Sequence, residues 1–171
     1  MNRKGILTAL AAIVVLAGVA FFFTRSEEPK ASAVTIPAMP LPTELPDLVV
    51  NLGDKSTVYL RDLSGDIVLI FFNPECDHCQ EQARQIAANK ELFAKWQVYF
   101  ITSVDVGVAE QFAANYRLTE ANYKFGHSGV NEVFSSVGAL NEVPTIIVYR
   151  GNRFVRKFEG LTSIELLKEV L

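Results

Sequence analysis

Ile67-Val-Leu-Ile-Phe-Phe72 is an apolar run with no polar alternation, and it closes on Asn73-Pro74 before Glu75-Cys76-Asp77-His78-Cys79-Gln80 opens a helix-like pattern. No other stretch of the chain narrows the possible folds as much. An unbroken run of this length fits a strand buried on both faces, which requires helices on each side of its sheet. Pro74 keeps Asn73 out of the α region, so the chain must turn before a helix begins at or next to Cys76.

Cys76 and Cys79 are the only cysteines in the 171 residues. A C-x-x-C pair is a weak signal alone, but its place at a strand-to-helix junction strengthens it. The first turn of a helix carries unpaired N–H groups and about half a positive charge, which favours a thiolate. Cys76 is therefore the expected nucleophile. Cys79 falls on the same helical face one turn on, where it can attack a mixed disulfide formed at Cys76 and release the partner. As a staple such a bridge is poor, since loop entropy assigns so small a ring only about 2 kcal/mol. A structural zinc site would need four ligands, and the chain adds only His78, inside the pair, and the isolated His127. No metal and no cofactor is expected.

This arrangement resembles the thioredoxin superfamily, most closely the membrane-anchored redoxins of the TlpA- and ResA-like kind, over about Pro46 to Leu171. The second supporting stretch is Glu142-Val-Pro-Thr-Ile-Ile-Val-Tyr149, which looks like the strand that begins, in that family, with a cis-proline beside the active-site sulfurs. The resemblance implies that Pro144 is cis and that Val143 offers its backbone to an extended substrate. His78 is similar to the histidine at that place in oxidising members, where it favours the reduced form. Glu75 and Asp77 flank Cys76 with opposing negative charge, so the direction of electron flow stays open. Three departures stand out: Ile70 occupies the position of the thioredoxin buried carboxylate, Glu75 that of a tryptophan, and Asn73 that of the threonine peroxiredoxins need. Peroxidase activity is not expected.

The rest of the chain fits around this centre. Gly5 to Phe23 is apolar except for Thr8, nearly long enough for a hydrocarbon core of roughly 30 Å. It follows Arg3 and Lys4, so residues 1–25 are expected to form an uncleaved membrane anchor, with a cleaved signal peptide ending near Ala31-Ser-Ala33 as the alternative. The flanking basic residues tie, Arg3 and Lys4 against Arg25 and Lys30. The secretory-like start and the cysteine pair place the domain on the extracytoplasmic side. Residues 26–46, with five prolines, read as a semi-rigid spacer, and residues 47–171 as the folded domain.

Within that domain, Leu48–Leu52 and Thr57–Leu60 predict a hairpin, the helix after the cysteines breaks near Asn89, and Val98–Ile101 predicts a buried strand. Val108, Phe112, Ala113 and Tyr116 mark one helix. Val130, Val133, Phe134 and Val137 mark another, ended by Gly138. Gly151-Asn152 joins two antiparallel strands, and Thr162 with Glu165 suggests a capping box on a last helix whose Ile164, Leu167 and Val170 face inward. His127 reads as a loop residue and Trp96 as core. The expected class is α/β, a thioredoxin-like mixed sheet flanked by helices, with an N-terminal β-hairpin extension and a separate N-terminal transmembrane helix.

With a net charge of −3 and no basic stripe, nucleic acid is not an expected partner. Expected partners are proteins carrying disulfides or dithiols, a redox protein that supplies or removes electrons, and the membrane itself. Two rival readings remain: a copper-handling module resembling the Sco-type metallochaperones, with Cys76, Cys79 and His127 as ligands, and a redox-inert interaction domain.

Overall fold

Alternate side chains of a strand leave its sheet on opposite faces, and in the apolar run both sets are greasy. Val68, Ile70 and Phe72 enter one buried cluster, while Ile67, Leu69 and Phe71 enter a second. This explains why the run does not alternate. The structure, a computed structural model, describes residues 43–171. The expected anchor and nearly all of the spacer lie outside the described residues. Among the described residues no helix is long and apolar enough to cross a membrane.

The elements in order are β1 (Val49–Leu52), β2 (Thr57–Tyr59), β3 (Ile67–Phe71), α1 (Asp77–Ala88), α2 (Lys90–Phe93), β4 (Gln97–Thr102), α3 (Val106–Asn115), β5 (Tyr123–His127), α4 (Val130–Val137), β6 (Thr145–Arg150), β7 (Arg153–Glu159) and α5 (Ile164–Lys168). One sheet holds all seven strands in the order β2-β1-β5-β4-β3-β6-β7. β3, β4 and β5 run parallel through helical crossovers, and β6, β7, β1 and β2 are antiparallel additions. Helices α1, α3 and α5 seal the face of Val68 and Ile70; the end of α4 and the hairpin seal the other.

Several expectations hold in detail. α1 stops at Ala88 with Asn89 as its cap, and Trp96 is buried beneath the Arg150 guanidinium, 5.5 Å from its ring centre. Gly151 and Asn152 both take positive φ, 55° and 65°, the pair a two-residue turn between β6 and β7 requires.

Other expectations are corrected. Residues 123–127 form a strand, β5, that the sequence pattern did not reveal, and His127 is its last residue, paired with Thr102 and Asn51, not a loop residue. Gly126 makes room for the hairpin to join the sheet there: a Cβ would lie 2.5 Å from Val50 Cγ1 and 2.9 Å from the Asn51 oxygen. The hairpin is thus the edge of the main sheet. Packing also begins before Asp47, since Leu45 is buried and Glu44 bridges to Arg153.

The last helix is capped by Ser163, whose Oγ accepts from the Leu166 N–H, and not by Thr162, whose hydroxyl turns back to the Gly160 carbonyl. Val108, within α3, is exposed. On α4 only Val137 is buried, while Val130 and Phe134 stand in solvent.

Candidate functional site

The C-terminal end of β3 carries the site, as expected for an open sheet with helices on both faces. Phe72, the last residue of the run, donates its N–H to the Ile101 carbonyl at 3.0 Å and packs its ring against Phe112, 4.8 Å between centres. The chain then turns: the Asn73 carboxamide oxygen accepts the Glu75 N–H at 3.0 Å, and the Asn73 carbonyl accepts the Cys76 N–H at 3.1 Å. This Asn-Pro turn delivers Cys76 as the N-cap of α1, with extended backbone (φ −81°, ψ 123°) and no side-chain capping bond.

Register brings the second half of the site to the first. β6 runs antiparallel to β3 with Thr145 opposite Phe71, so the two residues before β6, Val143 and Pro144, arrive beside the turn that bears Cys76. The half-buried Cys76 Sγ–H points at the Val143 carbonyl, 3.6 Å away. The Val143–Pro144 peptide bond is cis, as the family resemblance implied. No hydrogen bond among the described residues engages the Val143 N–H.

Cys79 sits one turn into α1 and is buried in the core cluster that contains Ala83 and Ile86. Its sulfur accepts the Asn73 N–H at 3.5 Å. Burial pushes the thiol from its ordinary 9.0 up to about 12; the Asn73 N–H works against this shift, and the neighbouring Cys76 thiol adds to it. Of the two thiols, Cys76 is half-buried and Cys79 buried.

This burial has a consequence for stability. The folded chain keeps the Cys79 proton at pH values where the unfolded chain has released it, so the unfolded state binds fewer protons and stability falls as pH rises from about 9 to about 12. The slope reaches about 1.4 kcal/mol per pH unit for one such group. Tyr123 and Tyr149 add a similar fall that starts later, because burial raises both from 10.0 to about 12. Urea titrations should show the dithiol form losing stability faster than the disulfide form between pH 9 and 10, since the disulfide form has no Cys79 proton to hold and loses only what the buried tyrosines cost.

The remaining expected residues do not join the sulfurs. Glu75, Asp77 and His78 are exposed, and their side chains make no hydrogen bond or ion pair among the described residues. His127 ends β5, and the described residues contain no group of three His, Cys, Asp or Glu side chains placed to hold a metal ion. The ligand set Cys76, Cys79 and His127 does not assemble.

One residue near the site escaped the sequence reading. Gln82 is buried one turn beyond Cys79; its Oε1 accepts the Thr162 N–H at 2.8 Å, tying α1 to the loop before α5, and its Nε2 has no partner among the described residues. Nothing local announces a contact across 80 residues.

Comparison with known proteins places this geometry. The family model described as AhpC/TSA matches residues 42–158. No curated protein sequence matches significantly. Among solved structures, DsbF of Mycobacterium tuberculosis superposes with a TM-score of 0.62 at 18% identity, over 75% of this chain and 95% of that one. A secreted M. tuberculosis disulfide oxidoreductase homologous to Escherichia coli DsbE gives 0.59 at 17%, over 72% and 92%. StoA from Bacillus subtilis gives 0.54 at 15%, over 71% and 92%. At these identities the likeness establishes a thioredoxin-like fold.

Proposed function

The chain belongs to the AhpC/TSA family, and on that premise we propose that it is a thiol-disulfide oxidoreductase acting on protein partners through Cys76 and Cys79. The observation that carries this reading is the pairing of a half-buried Cys76 at the N-cap of α1 with a buried Cys79 behind it. Two sulfurs so placed can open and close a bond while only one of them meets a partner.

In the reducing direction the Cys76 thiolate attacks one sulfur of a partner disulfide. That disulfide breaks, its other sulfur leaves as a thiolate, and a mixed disulfide joins Cys76 to the partner. Cys79 gives up its proton to solvent or to the thiolate just released and attacks Cys76 Sγ. The partner leaves as its second thiolate, two electrons richer, and Cys76–Cys79 remains as a disulfide. In the oxidising direction the same steps run backwards, and the high Cys79 pKa then favours uptake of a proton by the departing Cys79 sulfur. Val143, with a carbonyl facing the Cys76 sulfur and an unengaged N–H, offers both halves of a backbone pairing to a partner strand.

Within the family the reading is of a redoxin of the TlpA- and ResA-like kind, tethered by the apolar stretch Gly5–Phe23 and lifted by the proline-rich residues 26–46, with its domain on the extracytoplasmic side. A redox protein of that compartment would restore the pair after each turnover.

Redox titration of the full-length protein in thiol–disulfide buffers, with alkylation of free thiols and mass measurement, tests the reading. The expected result is one two-electron transition linking the dithiol to a Cys76–Cys79 disulfide, together with reduction of insulin by the dithiol form. Its potential also decides oxidant against reductant. Thiols that stay free in every buffer would mean an inert interaction domain.

A further inference from the structure

Helix α4 leaves part of its apolar face uncovered: Val130 is 67% and Phe134 56% exposed. With Phe71, Phe72, Ile101 and Val143 they line a groove of about 280 Å³. Val143 belongs to both places, since its carbonyl faces the Cys76 sulfur. An occupant of the groove therefore lies against the residue that touches the reacting thiol.

The groove's own lining is uncharged, but the sulfur site it adjoins is acidic: Glu75 and Asp77 flank Cys76, Glu142 precedes Val143, all three are exposed, and residues 71–80, 101–105 and 129–144 hold neither Lys nor Arg. Lys157, on β7, is paired with Glu159 at 2.7 Å. Apolar lining calls for an apolar side chain, and the carboxylates beside Cys76 and Val143 call for cationic neighbours on the same partner. A second copy of the chain is a poor occupant, because it brings no cationic group of these segments to meet those carboxylates.

We propose that this groove selects protein segments in which a bulky apolar residue stands close to the reacting cysteine, with Lys or Arg flanking it. The inference rests on Cys76 as the exchanging thiol and deepens that reading by naming its substrate class. In each turnover the Cys76 thiolate attacks the substrate sulfur and the other half of the substrate disulfide leaves as a thiolate. Deprotonated Cys79 then displaces the substrate as its thiolate, so both electrons come from the protein dithiol.

The test is single-turnover exchange by reduced full-length protein with peptides whose one cysteine is capped as a disulfide with 2-mercaptoethanol, using hydroxyethyl disulfide as a small neutral reference. A peptide with Phe beside the cysteine and Lys flanks should react at least about ten-fold faster than one with Ser in place of Phe, as expected for burial of one large apolar side chain. It should also outrun a Phe peptide with Glu flanks several-fold, an advantage that fades at 1 M salt, where screening acts within about 3 Å.

Phe134→Asp should bring the Phe-to-Ser ratio close to one, Val130→Asp should lower it too, and Phe134→Leu should largely keep it. Each ratio is taken within one protein, so a loss of folded material does not imitate the effect. Equal peptide rates alongside a normal reaction with hydroxyethyl disulfide would overturn the groove assignment and leave the exchange reading standing. No reaction with hydroxyethyl disulfide would overturn both. Equal peptide rates with a concentration-dependent dimer that Phe134→Asp abolishes would give this face to a second copy instead.

Discussion

Cys76→Ser is expected to lower disulfide exchange to the uncatalysed background, a loss of at least about 10³-fold, while leaving the protein as stable as before or slightly more so. The rate of exchange follows the attacking thiolate, and a serine hydroxyl supplies none. Cys79 cannot take over, because it is 2% exposed and its pKa is about 12. At pH 7, five units lower, only about one Cys79 in 10⁵ is ionised. Stability moves the other way because Cys76 caps α1 without a side-chain hydrogen bond, and serine at an N-cap adds up to about 1 kcal/mol. Insulin reduction and a thermal melt on the same sample check both halves. A variant that keeps its rate would transfer the nucleophile's role to Cys79.

The catalytic half of this picture was legible because it is local. Ile67–Phe72, the Asn73-Pro74 turn and the cysteine spacing occupy one continuous stretch, and the steric and periodic rules that read it act over a few residues. Pro144 was legible for another reason, since the stretch Glu142–Tyr149 resembles a known family strand. What failed was whatever depends on distant neighbours. Tyr-Lys-Phe-Gly-His, residues 123–127, carries a glycine where strands seldom do, and the reason is the hairpin pressed against Gly126 from more than 70 residues upstream.

Helix α4 shows the converse error. Its spacing is correct for an amphipathic helix, yet periodicity reports only that an apolar face exists, not what covers it. Val137 finds the sheet, and Val130 and Phe134 do not. The cap of α5 turned on a single residue: Thr162 and Ser163 are chemically alike, and Gln82, reaching from α1 to the Thr162 N–H, holds Thr162 outside the helix. Local rules place the reacting atoms, while the surface that would choose a partner is set by packing between remote segments.

Cys79→Ser should convert the protein into a trap. Cys76 is untouched by the change, so the first attack on a partner disulfide proceeds and the mixed disulfide forms. The serine behind it cannot displace the partner, because a hydroxyl in that buried place holds its proton far more tightly than the thiol it replaces. Turnover falls to background while covalent adducts between Cys76 and partner cysteines accumulate to near stoichiometry, seen as mass increments that dithiothreitol removes. The cost to the fold is modest: the change puts a hydroxyl where the Cys79 Sγ now accepts the Asn73 N–H at 3.5 Å, a penalty of the order of 1–2 kcal/mol for a hydroxyl in apolar surroundings. Cys79→Ala, which removes the acceptor as well, should trap equally, separating the chemistry from the packing. If neither variant holds an adduct while both still reduce insulin, Cys76 is resolved by a thiol from outside the chain, and the order of roles drawn from the burial of the two sulfurs is wrong.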